Sequence, residues 1–186
     1  MGEREKMLSG VLYDPSDETL VNNRNSCKIL CQKFNSTPYC EAELKKELLN
    51  QIIGKTKGDF TIEPSFWCDY GYNIELGKNF YSNHNLVVLD CALVTFGDNV
   101  FIGPNCSFYT AEHPIDYKTR NKGLESAKPI KIGNNVWFGG SVTVLAGVTI
   151  GNNSVIGAGS VVVRDVPSNS VAVGNPCRVI KKNDNK

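Results

Sequence analysis

Histidine is scarce in this sequence, since only His84 and His113 occur among 186 residues. A metal site that needs three histidine ligands is therefore nearly excluded. Charge of one sign is also missing, because 20 lysines and arginines nearly balance 19 aspartates and glutamates. The chain thus lacks the basic field that draws proteins to nucleic acid, and we expect no nucleic-acid partner.

Long apolar runs are absent as well. None approaches the roughly 20 residues that a membrane-spanning helix needs. The first ten residues, MGEREKMLSG, are charged and lack the apolar centre of a signal peptide. We therefore expect a soluble, cytoplasmic protein that does not associate with a membrane.

The seven cysteines include no CxxC pair. An odd number of cysteines without a signal peptide argues against a disulfide framework, so we expect free, mostly buried thiols. Cys27 and Cys31, one helical turn apart, are the nearest approach to a pair of metal ligands. Nothing in the sequence joins them, and we predict no metal site.

What the sequence has in quantity is glycine, 17 residues, and an apolar repeat of six residues. The repeat is carried by Ile132, Phe138, Val144, Ile150, Ile156 and Val162. Small or β-branched residues lie four positions after the first five of these, at Val136, Val142, Val148, Ser154 and Ser160. A period of six fits neither a helix nor a single strand. It fits a coil of three short parallel strands around a triangular prism, with glycine and asparagine at the corners, where left-handed backbone is cheapest.

The same repeat appears upstream at Phe96, Ile102 and Phe108. Its phase slips by two residues between Val94 and Phe96, which predicts a bulge near residues 90–93. Residues 109–129 are polar, contain two prolines and break the repeat, so we expect a loop that leaves the prism and carries function. A β-sandwich of short strands is the competing interpretation of this pattern.

The two ends of the chain differ from the prism at 56–166. Three helical patterns within residues 1–55 predict a cap on the first coil, in which Asp17 begins the second helix and Gly54 ends the third. The apolar faces of the second and third helices are predicted to comprise Leu20, Ile29, Leu30 and Phe34, and Leu44, Leu48, Leu49, Ile52 and Ile53. Residues 167–186 are expected to leave the coil as an extended arm.

These features together resemble the left-handed β-helix acyltransferases with hexapeptide repeats, and more narrowly the maltose and galactoside O-acetyltransferases. The resemblance rests on WCDYGYNIELGKNFYSNHN (67–85), VTFGDNVFIGPN (94–105), AEHPID (111–116), the repeat array at 129–162, GNPCRVIKK (174–182) and the N-terminal EREKMLSGVLYDPSDETL. It implies a left-handed coil and a homotrimer. It also implies that acetyl-CoA lies in a groove between subunits, each active site taking residues from two chains.

The excursion loop holds His113, just before Pro114. A free imidazole has a pKa near 6.5 and suits a general base at neutral pH. The resemblance implies that His113 takes the proton of an acceptor hydroxyl and returns it to the thiolate of CoA, without an acyl-enzyme. It also implies that Asn83 stabilises the oxyanion and contacts the acceptor, whereas we expect His84 to be a polar residue on the coil surface.

The resemblance implies that Asp69 and Asp14 bind hydroxyls of the sugar acceptor, although Asp14 could equally be a turn residue. Tyr81 is a candidate for stacking on the sugar ring, with simple packing as the alternative. Cys91 departs from the galactoside branch, which carries an acidic residue there, so the maltose and glucose branch is favoured. The positions implied for acetyl-CoA are Gly140, Ala158, Val163, Arg164, Arg178 and Lys181, where small residues admit the pantetheine arm and cations contact phosphates. No metal is expected to be required.

The predicted activity is transfer of acetyl from acetyl-CoA to a hydroxyl of maltose, glucose or a related sugar, with the 6-hydroxyl as the expected position. Galactosides and xenobiotics such as antibiotics remain alternative acceptors on the same scaffold. A trimeric scaffold without chemistry is a further alternative, which the presence of His113 disfavours.

Overall fold

The computed structural model describes residues 1–182, so residues 183–186 at the end of the expected arm lie outside the described residues. Four helices occur in this range: α1 (Glu3–Ser9), α2 (Glu18–Ser36), α3 (Ala42–Ile52) and α4 (Tyr117–Arg120). Asp17 begins α2 as predicted, because its carboxylate accepts hydrogen bonds from the amides of Thr19 and Leu20. None of the helices in residues 1–182 is both long and apolar enough to cross a bilayer.

Two details of the helical cap differ from expectation. Helix α3 ends before Gly54, which is needed for a different reason: a Cβ at this position would lie 2.2 Å from the carbonyl oxygen of Tyr72. Ile29 is 54% exposed, whereas Cys27 and Cys31 are buried with Leu20 and Phe34. The buried face of α2 is therefore rotated towards the two cysteines.

Strands follow one another in short pieces through the rest of the described chain. They are β1 (Lys55–Thr56), β2 (Phe60–Ile62), β3 (Phe66–Cys68), β4 (Ile74–Leu76), β5 (Phe80–Ser82), β6 (Leu86–Leu89), β7 (Val94–Phe96), β8 (Phe101–Ile102), β9 (Ser107–Tyr109), β10 (Ala111–Glu112), β11 (Ser126–Ala127), β12 (Ile130–Ile132), β13 (Trp137–Phe138), β14 (Thr143–Val144), β15 (Thr149–Ile150), β16 (Val155–Ile156), β17 (Val161–Val162), β18 (Ser170–Val173) and β19 (Arg178–Lys182).

The strands build the three faces of a prism. The first face has the order β1-β4-β7-β12-β15, the second β19-β18-β16-β13-β8-β5-β2 and the third β17-β14-β9-β6-β3. Pairing between coils is parallel, as in Phe138 opposite Ile156 and Val144 opposite Val162. This confirms the predicted left-handed parallel β-helix with its helical cap.

The core is a column of stacked side chains inside the prism. All six apolar residues of the repeat are buried, from Ile132 at 4% exposure to Val162 at 0%. Phe80, Phe96, Phe108 and Phe138 form a ladder of edge-to-face contacts, with ring centroids 5.0, 5.0 and 5.4 Å apart. The repeat is thus set by inward stacking from coil to coil.

Asparagine and glycine are required at the corners of the prism for different structural reasons. Asn99 and Asn135 adopt left-handed backbone, with φ of 56° each, and the amide of Asn99 donates a 3.0 Å hydrogen bond to that of Asn135. Gly97 is required for close approach instead, because a Cβ would lie 2.6 Å from the carbonyl carbon of Gly133. The expectation of left-handed backbone is therefore right for these asparagines and wrong for the glycine that follows the inward residue.

One edge of the prism, where the third face leads into the first, is irregular. In the regular coil Ile150 follows Val144 by six residues, and both pair with equivalents in neighbouring coils. The corresponding step from Val88 to Phe96 takes eight, which confirms the extra residues predicted near 90–93. An equal excess at residues 69–73 was not predicted. With the loop at 110–129, these three segments stack on what we call the irregular edge.

The excursion loop and the tail are both paired. Strands β10 and β11 form an antiparallel hairpin that encloses α4. Strand β18 still pairs in parallel with β16, and only β19 turns back, antiparallel to β18. The arm expected from residue 167 therefore begins by continuing the coil, because the inward-facing Ser170 and Ala172 remain buried.

Candidate active site

A solvent-open cavity of about 580 Å³ lies between the irregular edge and the N-terminal segment. Arg24, Asp69, Cys91, His113 and Glu125 line it. The structure thus brings together two predicted site residues, His113 and Asp69, from segments far apart in the sequence. A cavity of about 610 Å³ between α3 and β2 contains none of the residues that the sequence singled out for chemistry.

His113 directly follows β10 and is held by the hairpin. Its Nδ1 lies 3.3 Å from the carbonyl oxygen of Leu124. A hydrogen on Nδ1 can donate to that carbonyl, which leaves the lone pair of Nε2 available. Nε2 lies 3.7 Å from Oε1 of Glu125, and the histidine side chain is 55% exposed. The imidazole is therefore oriented by the hairpin yet open to a substrate.

Glu125 was not predicted, nor was its partner Tyr13. The phenol of Tyr13 donates a 2.6 Å hydrogen bond to Oε2 of Glu125. The two backbones also exchange hydrogen bonds of 2.9 and 3.1 Å. Burial raises the pKa of Tyr13 far above its usual range, so the phenol stays a donor. The sequence signal available for Glu125 was that an acidic residue lies in the same loop as His113. Tyr13 offered no signal, because it lies 112 positions from Glu125 and the two meet only in the fold.

Asp69 is placed by a neighbouring carboxylate. Oδ1 of the buried Asp90 accepts hydrogen bonds from the amides of Asp69 and Tyr70, at 3.0 and 2.8 Å, and Oδ2 accepts one from Asn73 at 3.3 Å. These bonds organise the extra residues at 69–73. Burial raises the pKa of Asp90 to about 7, and burial also raises the pKa of Asp69.

The cavity wall carries a thiol and a guanidinium beside Asp69. The Sγ atom of Cys91 lies 3.7 Å from Oδ2 of Asp69, and burial raises the pKa of Cys91 to about 12, so it remains a thiol. Arg24 donates to the phenol oxygen of Tyr70 at 2.8 Å and to the carbonyl of Pro15 at 2.6 Å. Arg24 was missed because a lone arginine on a helix has no distinguishing sequence signal.

Asp14 does not join the residues that line this cavity. It is exposed, and its Oδ1 accepts hydrogen bonds from the amide and hydroxyl of Ser16, at 2.8 and 2.6 Å. The neighbouring Pro15 and Ser16 reach the cavity instead. These contacts with Ser16 agree with the turn alternative for Asp14, and its predicted contact with a sugar acceptor stays a prediction.

Asn83 and Tyr81 lie in a separate cavity of about 360 Å³, together with Phe101, Gly103 and Trp137. This cavity is on the edge where the second face leads into the third, so a single chain does not bring Asn83 to His113. The neighbouring His84 contacts the carbonyl oxygen of Pro64 through Nδ1. That contact agrees with a surface packing role for His84.

The residues implied for acetyl-CoA fall into separate groups. Gly140 and Ala158 lie on the edge of Asn83, because Ser82, Ile102, Phe138 and Ile156 are successive partners in the second face. We call this the small-residue edge, defined by 83–85, 103–105, 139–141 and 157–159. Val163 and Arg164 follow β17 on the irregular edge, and Arg178 and Lys181 lie on β19.

Comparison with known proteins matches both parts of the chain. Residues 6–58 match the maltose acetyltransferase hexapeptide capping motif, and residues 129–164 match the bacterial transferase hexapeptide model of six repeats. A Saccharomyces cerevisiae protein, YJL218W, to which acetyltransferase activity is assigned provisionally, is 51% identical over 98% of this chain and 93% of its own length.

Solved structures agree along the whole described chain. The maltose O-acetyltransferase of Clostridium difficile 630 superposes with a TM-score of 0.96 at 52% identity, covering 98% of this chain and 97% of that one. A galactoside acetyltransferase in complex with coenzyme A has a TM-score of 0.96 at 41% identity, covering 99% and 92%. A Vibrio cholerae acetyltransferase with hexapeptide repeats, complexed with acetyl-CoA, has a TM-score of 0.91 at 36% identity and full coverage of both chains.

Proposed function

This chain belongs to the maltose and galactoside acetyltransferases of the hexapeptide-repeat family, and from that premise we propose that it transfers acetyl from acetyl-CoA to a sugar hydroxyl with His113 as general base. The observation that carries the proposal is the placement of His113 over the cavity on the irregular edge, with Nε2 facing Glu125. Similar proteins hold coenzyme A or acetyl-CoA, which supports acetyl-CoA as the donor.

His113 acts through Nε2. It accepts the proton of the acceptor hydroxyl as that oxygen forms a bond to the thioester carbonyl carbon. When the tetrahedral intermediate breaks its carbon–sulfur bond, the imidazolium returns the proton to the departing thiolate. The carboxylate of Glu125, 3.7 Å from Nε2, stabilises the imidazolium in between, and the hairpin contact with Leu124 keeps the ring oriented.

The site is completed by a second copy of the chain. His113 and Asn83 stand on different edges of one prism, so one chain alone does not oppose the base to the amide. Contact between the irregular edge of one copy and the small-residue edge of the next is heterologous, and it closes in a ring when the rotation is three-fold. Asn83 of the adjacent subunit then donates to the oxyanion.

The groove between two such edges suits the donor. Gly140 and Ala158 leave little side chain along the small-residue edge, where the amide of Gly159 donates to the carbonyl of Gly140 at 2.9 Å. Val163 and Arg164 stand on the opposite wall in the two-chain arrangement. Arg178 and Lys181 on β19 supply cations for the nucleotide phosphates.

The acceptor is maltose, glucose or a related sugar, modified at its 6-hydroxyl. Asp69 accepts hydrogen bonds from sugar hydroxyls and Arg24 donates them, while Tyr81 of the adjacent subunit packs on the ring. The buried thiol of Cys91 offers no second carboxylate, which disfavours a galactoside. A galactoside or a xenobiotic hydroxyl is the second candidate, because the cavity is open to solvent and His113, which lines it, is 55% exposed.

The decisive experiment is thiol release from acetyl-CoA with maltose, glucose, isopropyl-galactoside and chloramphenicol as acceptors. We expect turnover with maltose or glucose, an acetyl group on the 6-oxygen by NMR, and a loss of about 10³-fold or more in His113→Ala. Lys118→Ala, an exposed change in α4 of the same loop, is the control that should retain activity. Full turnover in His113→Ala would refute the mechanism, and turnover with chloramphenicol alone would replace the sugar acceptor.

A further inference from the structure

Three cysteines converge between the helical cap and the first coil. Cys27 and Cys31 lie on α2 and Cys68 ends β3, so the sequence alone did not connect them. Sγ of Cys68 is 3.4 Å from Sγ of Cys27 and 3.8 Å from Sγ of Cys31, and the three sulfurs lie within 4.8 Å of one another. All three residues are buried, at 4%, 0% and 3% exposure. The acetyl-transfer mechanism uses none of them.

The spacing suits one ion bound to three sulfurs. A metal–sulfur bond of about 2.3 Å in planar three-fold coordination places the sulfurs about 4 Å apart, and a pyramidal arrangement brings them closer. The observed separations of 3.4 and 3.8 Å therefore need little movement. Within residues 1–182, the group of potential ligands around this point comprises these three cysteines alone. Structural zinc, which takes four ligands, is thus poorly served.

The surroundings decide which charge the ion should carry. A carboxyl group lies close to the cluster, because Oδ1 of Asp90 accepts a 3.0 Å hydrogen bond from the amide of Asp69, the residue that follows Cys68. Three thiolates around a monovalent ion would bury two negative charges, and around a divalent ion one. A trivalent centre leaves none, which avoids the cost of an unpaired buried charge.

We propose that Cys27, Cys31 and Cys68 form a binding site for a soft trivalent centre, with arsenic(III) as the matching chemistry. Arsenous acid, As(OH)₃, exchanges its three oxygens for the three sulfurs. Three As–O bonds break, three As–S bonds form, and the three thiol protons leave in three molecules of water. Arsenic stays trivalent throughout, so no oxidant or reductant is required, and the product is neutral.

The site has an entrance. A surface cavity of about 180 Å³ between α2, α3 and the irregular edge is lined by Cys27 together with Ser26, Tyr70 and Tyr72. Arsenous acid can therefore approach the cluster from the side of Cys27.

An ion bound at the three cysteines would also restrict two residues of the acceptor cavity, Asp69 and Arg24. Cys68 immediately precedes Asp69, and Arg24 lies one turn before Cys27 on α2. An ion bound to all three sulfurs would hold α2 rigidly against β3 behind these two residues. This consequence is secondary, and the binding test does not depend on enzymatic activity.

The test is titration of the reduced wild-type protein with arsenite, followed by native mass spectrometry and the near-ultraviolet absorption of arsenic–thiolate bonds. We expect one adduct per chain, heavier by one arsenic atom less three hydrogens. Cys27→Ala, Cys31→Ser and Cys68→Ala should each weaken binding at least about tenfold, since each removes one of three bonds. The exposed Cys40→Ala and the buried but distant Cys106→Ala are matched controls that should bind as the wild type does.

Circular dichroism identifies any variant that fails to fold, and Cys31→Ser retains nearly the wild-type shape should the alanine variants unfold. The proposal is overturned if folded wild-type protein forms no adduct in excess arsenite. It is equally overturned if Cys31→Ser binds arsenite as tightly as the wild type, or if Cys40→Ala loses the adduct. Zinc that binds the same three cysteines as tightly as arsenite would refute the assignment to a trivalent centre.

Discussion

Tyr13 donates a 2.6 Å hydrogen bond to Glu125, and the other carboxylate oxygen of Glu125 lies 3.7 Å from Nε2 of His113. The phenol belongs to the N-terminal segment and the carboxylate to the excursion loop. Because Tyr13 is only 1% exposed, it holds Glu125 from inside the protein. The N-terminal segment therefore holds the carboxylate beside the proposed catalytic base through this buried side chain, in addition to two backbone hydrogen bonds.

Tyr13→Phe should reduce kcat about three- to tenfold while KM for acetyl-CoA stays unchanged. The substitution keeps the packed ring but removes the donor, so Glu125 is less firmly oriented towards the imidazolium. Glu125→Gln should cost more, about 10- to 100-fold, because it removes the charge itself. Tyr117→Phe, an exposed change in the same loop, is the control. Equal kcat in Tyr13→Phe and wild type would show that the contact is only structural.

Asp69→Asn should raise KM for the sugar about tenfold and leave KM for acetyl-CoA unaltered. Its carboxylate lines the acceptor cavity, and an amide has only one accepting oxygen for sugar hydroxyls. Asp14→Asn should have little effect on either constant, since that carboxylate caps a turn with Ser16. Steady-state kinetics with maltose and glucose decide the matter, and the reverse pattern would assign acceptor binding to Asp14.

Mixing inactive subunits should restore activity if each site spans two chains. His113→Ala and Asn83→Ala are each expected to be inactive as homotrimers. Random exchange of equal amounts pairs an intact His113 with an intact Asn83 of the neighbour in about a quarter of the interfaces. About a quarter of wild-type activity should therefore return after denaturation and joint refolding. Light scattering checks the three-chain mass, and absence of any recovery would place both residues in one chain's site.

Asp90 should make stability decline with pH. Burial raises its pKa in the folded protein to about 7, whereas an unfolded aspartate has a pKa of about 3.9. Between these two pKa values the folded state binds the proton of Asp90 more tightly than the unfolded state does. The resulting contribution to the free energy of unfolding is fully present below about pH 4 and is lost as pH rises through 7. The free energy of unfolding should fall by roughly 2–3 kcal/mol between pH 5 and pH 8 on this account.

Urea unfolding of the wild type and of Asp90→Asn measures this contribution, because the difference between the two proteins cancels other titrating groups. The free energy of unfolding of the wild type should fall relative to that of Asp90→Asn as pH rises. A constant difference from pH 5 to pH 8 would mean that the three amides donating to Asp90 keep its carboxylate ionised in the folded state.

The repeat of six residues by itself determined the prism and much of its core. Inward stacking is a local requirement that recurs in every coil, so Phe138, Val144 and Ile150 were identifiable from their spacing. The slip near residues 90–93 was visible for the same reason. The slip at 69–73 was not, since the first coil carries too loose a repeat to reveal a change of phase.

The sequence also pointed to His113 and Asp69, through a loop that breaks the repeat and through resemblance of short motifs. Only the tertiary structure decided that Tyr13 and Glu125 stand behind the histidine and that Cys68 completes a cluster with Cys27 and Cys31. The physical reason is that successive coils stack residues that are far apart in the sequence on the same edge of the prism. Residues from three coils and a helical cap meet there, and no spacing within a single segment encodes such a meeting.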